Sequence, residues 1–258
     1  MKNKFKRPKF SKKESKNNYS IHGLNNSISL VKSDKYEIKN IFILQNSLAW
    51  KNNTIQKLVN ENKKKCKILN KEFFVKKFDE FRTQGIVIEF KGKILDELPD
   101  FTKISGNQCL LLLDRITDPQ NLGQIIRTSE CAGINGIIVP DRNSARITDT
   151  VIQVSQGAFI NQNLYTCGNV HQLLIKLKKQ GFWVIGFENS IDAKKWYDID
   201  YNGKVIIIVG SEGKGIRKLL LDSCDFISTI PMKGKINSLN VSAAVSAILF
   251  ERNRQLEK

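Results

Sequence analysis

The sequence predicts an α/β protein with a small N-terminal domain and a larger C-terminal domain. Short apolar runs of strand length, of which residues 109–113 and 205–209 are the clearest, alternate with segments whose apolar residues recur at helical spacing. Residues 93–107 lose both periods and contain Pro99 and Gly106, which is typical of a linker. A chain of 258 residues can bury a core in each domain.

The N-terminal part is basic. Residues 1–18 are dominated by lysine and arginine, so we predict a disordered basic arm. Residues 19–92 are predicted to form a small α/β domain whose basic content suits contact with RNA or DNA, although a charged solvated surface is the ordinary explanation of its lysines. Its expected elements are a helix starting near residue 21, strands at 41–44 and 86–90, and a basic helix at 55–65.

Residues 108–258 form the second predicted domain. Its expected elements are strands at 109–113, 136–139, 182–187 and 205–209, and helices starting after Asp118, at 173–179 and at 241. The run 205–209 contains only valine and isoleucine, which indicates a strand covered on both faces in a parallel sheet.

Asp118 precedes Pro119, which predicts an N-cap followed by proline at the first helical position. Arg127 lies six residues beyond Asn121, about 240° around a helix, so the two cannot share a helix face. A joint role needs Asn121 to lie outside the regular helix, or a ligand that wraps around the start of the helix.

The strand at 205–209 is followed by the glycine-rich turn GSEGKG. Such turns bind phosphates or nucleotides in many α/β proteins. Ile216 occupies the lysine position of a P-loop, and Lys218 occupies the third glycine position of a dinucleotide-binding turn. Neither standard phosphate site is therefore expected, and a plain strand-to-helix turn is the alternative.

A polar loop at 230–240 leads into a helix whose apolar residues fall on one face, at 241, 244, 245, 248 and 249. Asn240 is the expected N-cap. The free N–H groups of a helix start suit anions and other acceptors, while a capped core helix is the simpler interpretation.

The formal net charge is +17, from 42 Lys and Arg against 25 Asp and Glu. This balance favours a polyanionic partner, either nucleic acid or an anionic membrane surface, over a mere lysine-rich bias. The apolar runs are too short to span a bilayer, and the charged N-terminus is not followed by a signal-peptide core, so we expect no membrane attachment.

Five scattered cysteines without CxxC spacing indicate reduced thiols in a cytoplasmic compartment. With only His22 and His171, we expect no metal centre.

Three segments with these features are DPQNLGQIIRT (118–128), IIIVGSEGKGI (206–216) and IPMKGKINSLNVS (230–242). In this order and spacing they resemble the three signature motifs of the SpoU family of RNA ribose 2′-O-methyltransferases, over about residues 108–254. The preceding domain, with IHG at 21–23 and QGIVIE at 84–89, is similar to the small RNA-binding domain of the branch that acts on guanosine in 23S rRNA. Thr83 stands where that branch often has histidine.

The resemblance implies a SPOUT-type, trefoil-knotted α/β catalytic domain, S-adenosylmethionine as methyl donor, no metal, and a homodimer with its site near the subunit interface. The implied activity is methylation of a ribose 2′-OH in structured RNA, with a guanosine of large-subunit rRNA as the target. A tRNA methyltransferase and a non-catalytic RNA-binding or assembly factor are the alternatives.

By the same resemblance, Arg127 is the catalytic arginine, and the other catalytic-motif residues are Asn121, Glu212, Ser238 and Asn240. Backbone contacts to the cofactor are implied for Gly210, Ile230 and Leu239, with Met232 lining the same pocket. Glu212 is expected to hold Arg127 or Asn121, or to cap the nearby helix. Because arginine stays protonated, we favour Arg127 as a clamp for phosphate and developing alkoxide over a general base.

Overall fold

The structure is a computed structural model that describes residues 17–78, 83–190 and 193–257. The basic arm predicted for 1–18 therefore lies outside the described residues, apart from Asn17 and Asn18. In the N-terminal part, a four-stranded sheet has the order β1-β4-β2-β3, with β3 parallel to β2 and the other pairs antiparallel. The strands are β1 (Asn18–His22), β2 (Glu37–Leu44), β3 (Cys66–Leu69) and β4 (Ile86–Lys91).

The helices of this part are α1 (Leu24–Lys32), α2 (Leu48–Lys51), α3 (Asn53–Glu61) and α4 (Lys71–Lys77). Two expectations are corrected. Ile21 belongs to strand β1, and the helix begins only at Leu24, because Gly23 turns the chain with a φ of 88°. The basic helix ends at Glu61, where Asn62 leaves helical geometry, and Lys63–Lys65 form a separate 3₁₀ turn.

The C-terminal part contains a parallel sheet in the order β10-β12-β9-β11-β6-β7-β8-β5. Its strands are β5 (Asp96–Glu97), β6 (Gln108–Asp114), β7 (Gly136–Pro140), β8 (Leu164–Cys167), β9 (Trp183–Phe187), β10 (Lys194–Lys195), β11 (Lys204–Gly210) and β12 (Phe226–Thr229). Its helices are α5 (Pro119–Cys131), α6 (Asp149–Val154), α7 (Val170–Lys179), α8 (Lys218–Leu221) and α9 (Val241–Leu256). The α/β fold predicted from the sequence is confirmed.

The central strands of this sheet are β6 and β11. The five apolar residues of each strand, 109–113 and 205–209, are buried. The unbroken apolar runs predicted this, because they indicate a sheet covered on both faces. The segment 93–107 contributes the edge strand β5, which pairs with β8, and it buries Ile94 and Phe101. The carboxyl ends of β6, β9 and β11 therefore lie side by side and present their loops together.

Strand β1 joins the two parts of the chain by docking on helix α6. The carboxylate of Asp149 accepts hydrogen bonds from the backbone N and the Oγ of Ser20, each at 2.8 Å. The carboxamide of Gln153 accepts from the backbone N of His22 at 3.1 Å and donates to its carbonyl at 3.2 Å. Phe159 packs its ring 5.6 Å from Tyr36 and 6.0 Å from Phe90, which closes an apolar contact beside these polar ones.

All five cysteines lie within the described residues and are free thiols. Burial raises the pKa of Cys109 and of Cys167 to about 11, so these thiols stay protonated near neutral pH. The parts of the chain that the structure covers hold no cluster of three or more His, Cys, Asp or Glu placed to bind a metal ion. Among the described helices, none combines the length and apolarity that a bilayer crossing needs.

Candidate active site

The start of α5 presents the first motif. Asp118 is the N-cap, because its Oδ1 accepts from the backbone N of Gln120 at 3.0 Å, and Pro119 takes the first helical position, as predicted. Asn121 is the third residue of the helix. It therefore does not lie outside regular helical geometry, and Arg127 faces away from it on the same helix.

The start of α9 presents the third motif. Asn240 caps this helix as predicted: its Oδ1 accepts from the backbone N of Ser242 at 2.9 Å. The same carboxamide reaches two other loops through its nitrogen. Asn240 Nδ2 donates to Asn121 Oδ1 at 3.0 Å and to Glu212 Oε1 at 2.7 Å. The three separated motifs are thus joined directly at one asparagine.

Glu212 has the helix-capping contact that was one of its expected roles. Its Oε1 lies 3.4 Å from the backbone N of Val241, the first residue of α9, in addition to its bond with Asn240. A carboxylate at this position is favoured by the positive end of the helix dipole. Glu212 reaches Asn121 only through Asn240, and it makes these contacts rather than one with Arg127.

A cavity of about 290 Å³ lies beside this cluster, at the carboxyl ends of β9 and β11. All four residues expected to contact the cofactor line it, as do Ser238 and Glu212; the four are Gly210, Ile230, Met232 and Leu239. Gly210 is required by close packing, because a Cβ there would overlap the carbonyl group of Gly215. The glycine-rich turn therefore folds back on the end of its own strand and forms one wall of the cavity.

Two cavity residues, Glu188 and Asn189, were missed by the sequence analysis. The Oε2 of Glu188 accepts from the backbone N of Ile216 at 2.8 Å, which fastens the far end of the glycine-rich turn. The side chain of Asn189 donates to the carbonyl of Asn237 at 3.0 Å and so supports the loop before α9. The one available signal was their place directly after a predicted strand, where parallel sheets gather their sites.

Arg127 lines a second cavity, of about 520 Å³, together with Gln124, Thr128, Gln156, Ser242 and Ser246. Its side chain is exposed. Ser242 connects this cavity to the asparagine cluster, since its Oγ lies 2.6 Å from Asn240 Oδ1 and 2.7 Å from Gln124 Oε1. Within one chain, Arg127 and the first cavity therefore flank the start of α9 rather than share a single pocket.

A parallel α/β domain with a loop-lined cavity at the carboxyl ends of its central strands is an arrangement that ligand-binding α/β enzymes share. A family model described as the SpoU rRNA Methylase family matches residues 108–250. This chain belongs to that family.

Relatives and solved structures agree with the family. The 23S rRNA (guanosine-2′-O-)-methyltransferase RlmB of Pseudomonas aeruginosa is 39% identical over 178 residues, which cover 67% of this chain and 71% of that protein. The crystal structure of the SpoU methyltransferase AviRb from Streptomyces viridochromogenes in complex with AdoMet has a TM-score of 0.78 at 19% identity, covering 93% and 91% of the two chains, and so shares the fold. The crystal structure of a TrmH/SpoU tRNA modifying enzyme of A. aeolicus has a TM-score of 0.54 at 25% identity, covering 61% of this chain and 80% of that chain.

Proposed function

We propose that this protein transfers a methyl group from S-adenosylmethionine to the ribose 2′-OH of a guanosine in 23S rRNA. The observation that carries the proposal is the meeting of three loops: Asn121, Glu212 and Asn240 are hydrogen-bonded to one another beside a cavity. The target is supported by the name of the Pseudomonas relative. The net charge of +17 favours a phosphate-rich partner, and five free thiols support a cytoplasmic location.

The lining of the first cavity suits the cofactor. Ile230, Met232 and Leu239 offer apolar surface to an adenine ring, while the carboxylates of Glu188 and Glu212 favour a cation. S-adenosylmethionine, when bound, supplies an electrophilic methyl group on a positively charged sulfonium. We assign backbone contacts with the cofactor to Gly210, Ile230 and Leu239, and a hydrogen bond with the cofactor or the ribose to Ser238.

The asparagine cluster orients the nucleotide. Both amide hydrogens of Asn240 are committed, one to Asn121 and one to Glu212. Asn121 accepts with its Oδ1, which leaves its own NH₂ group to donate to an oxygen of the ribose or its phosphate. A ribose 2′-OH is a weak nucleophile, so holding it in one orientation is a large part of the catalysis we propose.

The role we assign to Arg127 is electrostatic. Its guanidinium stays protonated, and in an exposed position it can clamp the target phosphate and stabilise the alkoxide that develops at O2′.

We propose a homodimer with the site near the subunit interface. Large exposed apolar side chains on α9 and on the loop before it support a covering partner copy: Ile236 is 77% exposed, Leu239 43% and Phe250 50%.

The test is methylation of purified 23S rRNA and tRNA with labelled S-adenosylmethionine, followed by mapping of the modified nucleotide. The wild-type protein should label one guanosine of 23S rRNA, whereas Arg127→Ala should lose methyl transfer by at least about 100-fold. Since Arg127 does not line the first cavity, calorimetry should show unchanged S-adenosylmethionine affinity in the variant. Full activity of Arg127→Ala would contradict its proposed role.

A tRNA substrate is the second candidate, favoured by the similarity to the tRNA modifying enzyme of A. aeolicus. That similarity covers 61% of this chain, whereas the RlmB relatives are matched over 67–73% of it. Labelling of tRNA but not of 23S rRNA would select this candidate. A non-catalytic RNA-binding factor would give no heat with S-adenosylmethionine.

A further inference from the structure

A buried carboxylate lies under the glycine-rich turn. Asp114 is the last residue of β6, directly beside Gly210 at the end of β11, and its side chain is fully buried. Its Oδ2 accepts from the backbone N of Arg217 at 2.9 Å, while its Oδ1 accepts from Nε and lies 2.8 Å from Nη2 of the same guanidinium. A buried carboxylate is stable only with such partners, so Asp114 fixes Arg217, which lies two residues beyond the turn.

A second arginine, Arg115, connects Asp114 with the turn. Arg115 adopts a left-handed backbone with a φ of 60°, which is unusual for a residue with a side chain. Its Nη2 donates to the carbonyl of Gly215 at 3.1 Å, and its Nε lies 3.7 Å from Asp114 Oδ2. Asp114 therefore lies against two cations: Arg217, to which it is hydrogen-bonded, and Arg115, which contacts the carbonyl of Gly215 at the end of the turn.

In the turn, Glu212 lies between Ser211 and Gly215, which are held in place. The backbone N of Gly215 donates to the carbonyl of Ser211 at 2.9 Å, so holding Gly215 also holds the start of the turn. Glu212 projects from it to Asn240 at 2.7 Å, and Gly210, Ser211 and Gly215 line the first cavity. A shift at Asp114 would therefore move both the cavity wall and the carboxylate that orients Asn240.

We infer that Asp114 is a positioning residue, which acts through Arg115 and Arg217 to set the glycine-rich turn for cofactor binding and to place Glu212. The inference rests on the proposed function, because it takes S-adenosylmethionine as the ligand of the first cavity. It assigns no contact with substrate or cofactor to Asp114 itself.

The test compares two aspartates. Asp114→Asn keeps the size of the side chain but faces an amide nitrogen or a neutral oxygen toward Arg217. Asp225→Asn is the matched control, since Asp225 also joins a cation and a backbone N–H, Lys178 at 2.7 Å and Val184 at 2.8 Å, and none of these three lines the first cavity. Calorimetry should show S-adenosylmethionine affinity weakened about tenfold or more in Asp114→Asn and unchanged in Asp225→Asn.

Steady-state kinetics on the methylated RNA add a second readout. Asp114→Asn should lower kcat and raise KM for S-adenosylmethionine while KM for RNA stays constant. Equal losses of thermal stability with unchanged cofactor affinity in both variants would overturn the inference. If Asp114→Asn does not fold, Arg217→Gln at the exposed end of the pair should weaken cofactor affinity in the same direction, and unchanged affinity there would overturn it too. Absence of heat from the wild-type protein would instead overturn the proposed cofactor.

Discussion

Among single residues, Asn240 uses the two ends of its carboxamide for different purposes. The oxygen caps α9, and the nitrogen joins Asn121 and Glu212. Serine can replace the oxygen as an N-cap but cannot supply two donors. The two purposes can therefore be separated by substitution.

Asn240→Ser should keep the free energy of unfolding within a few tenths of a kcal/mol, whereas Asn240→Ala should lower it by about 1 kcal/mol because the cap is lost. Both variants should lose about tenfold or more in kcat, since each leaves Asn121 and Glu212 without their shared donor. Denaturant unfolding and rRNA methylation measure the two effects. A fully active Asn240→Ser would contradict an orienting role for the amide nitrogen.

The residues of the site could be predicted to different depths. The separation of Asn121 from Arg127 followed from helix geometry alone, and the caps at Asp118 and Asn240 followed from residue type and position. The contact between Glu212 and Asn240 joins residues far apart in the chain, so only the tertiary structure could select it from the alternatives. Glu188 was missed because its position after a predicted strand was the one signal, and a single glutamate there carries no local pattern.

Among the secondary-structure elements, an apolar run was sufficient to predict a strand where that strand is completely buried. Strands β6 and β11 were predicted within one residue at each end for this reason. Strands β8 and β12 were missed, since Leu164–Cys167 and Phe226–Thr229 mix polar with apolar residues and take strand geometry from their neighbours in the sheet.

The most basic element is the 3₁₀ turn Lys63–Lys65, which leads into β3 at one edge of the N-terminal sheet. Its three lysines are exposed, within a span (48–78) that holds nine lysines and two glutamates. Such a surface fits the RNA-binding role that the family resemblance implies for this part of the chain.

Replacing all three lysines with glutamine should weaken rRNA binding and reduce the slope of log K against log salt by about 0.7–0.9 for each phosphate that the variant no longer neutralises. The control is the same replacement at three exposed lysines of the C-terminal part, Lys103, Lys176 and Lys179. Filter binding over a salt series measures both. Equal weakening in the two triple variants would indicate a general charge effect and contradict a defined RNA surface.

At the scale of the whole molecule, one segment serves both parts of the chain. Asp149 and Gln153 of α6 hold β1, while Val154 and Gln156, only a few residues further on, line the cavity of Arg127. The N-terminal sheet is therefore docked beside the Arg127 cavity. The trefoil knot expected from the resemblance stays a prediction.

The double variant Asp149→Ala/Gln153→Ala removes four hydrogen bonds between the two parts. We expect KM for rRNA to rise about tenfold or more, because RNA held by the N-terminal part is no longer presented in one orientation. Affinity for S-adenosylmethionine, measured by calorimetry, should not change, since neither residue lines the first cavity. An unchanged KM for rRNA would show that this joint has no part in substrate presentation.

The docking of β1 on α6 sets the spacing between two sites that the proposed function assigns to RNA. The lysines near β3 and the guanidinium of Arg127 stand at opposite ends of one connected framework, through β1 and α6. Under the proposed function, the methylated sugar is then selected by its spacing from a distant RNA feature as well as by its own base. Lengthening the RNA between the two by one base pair should displace the modified position.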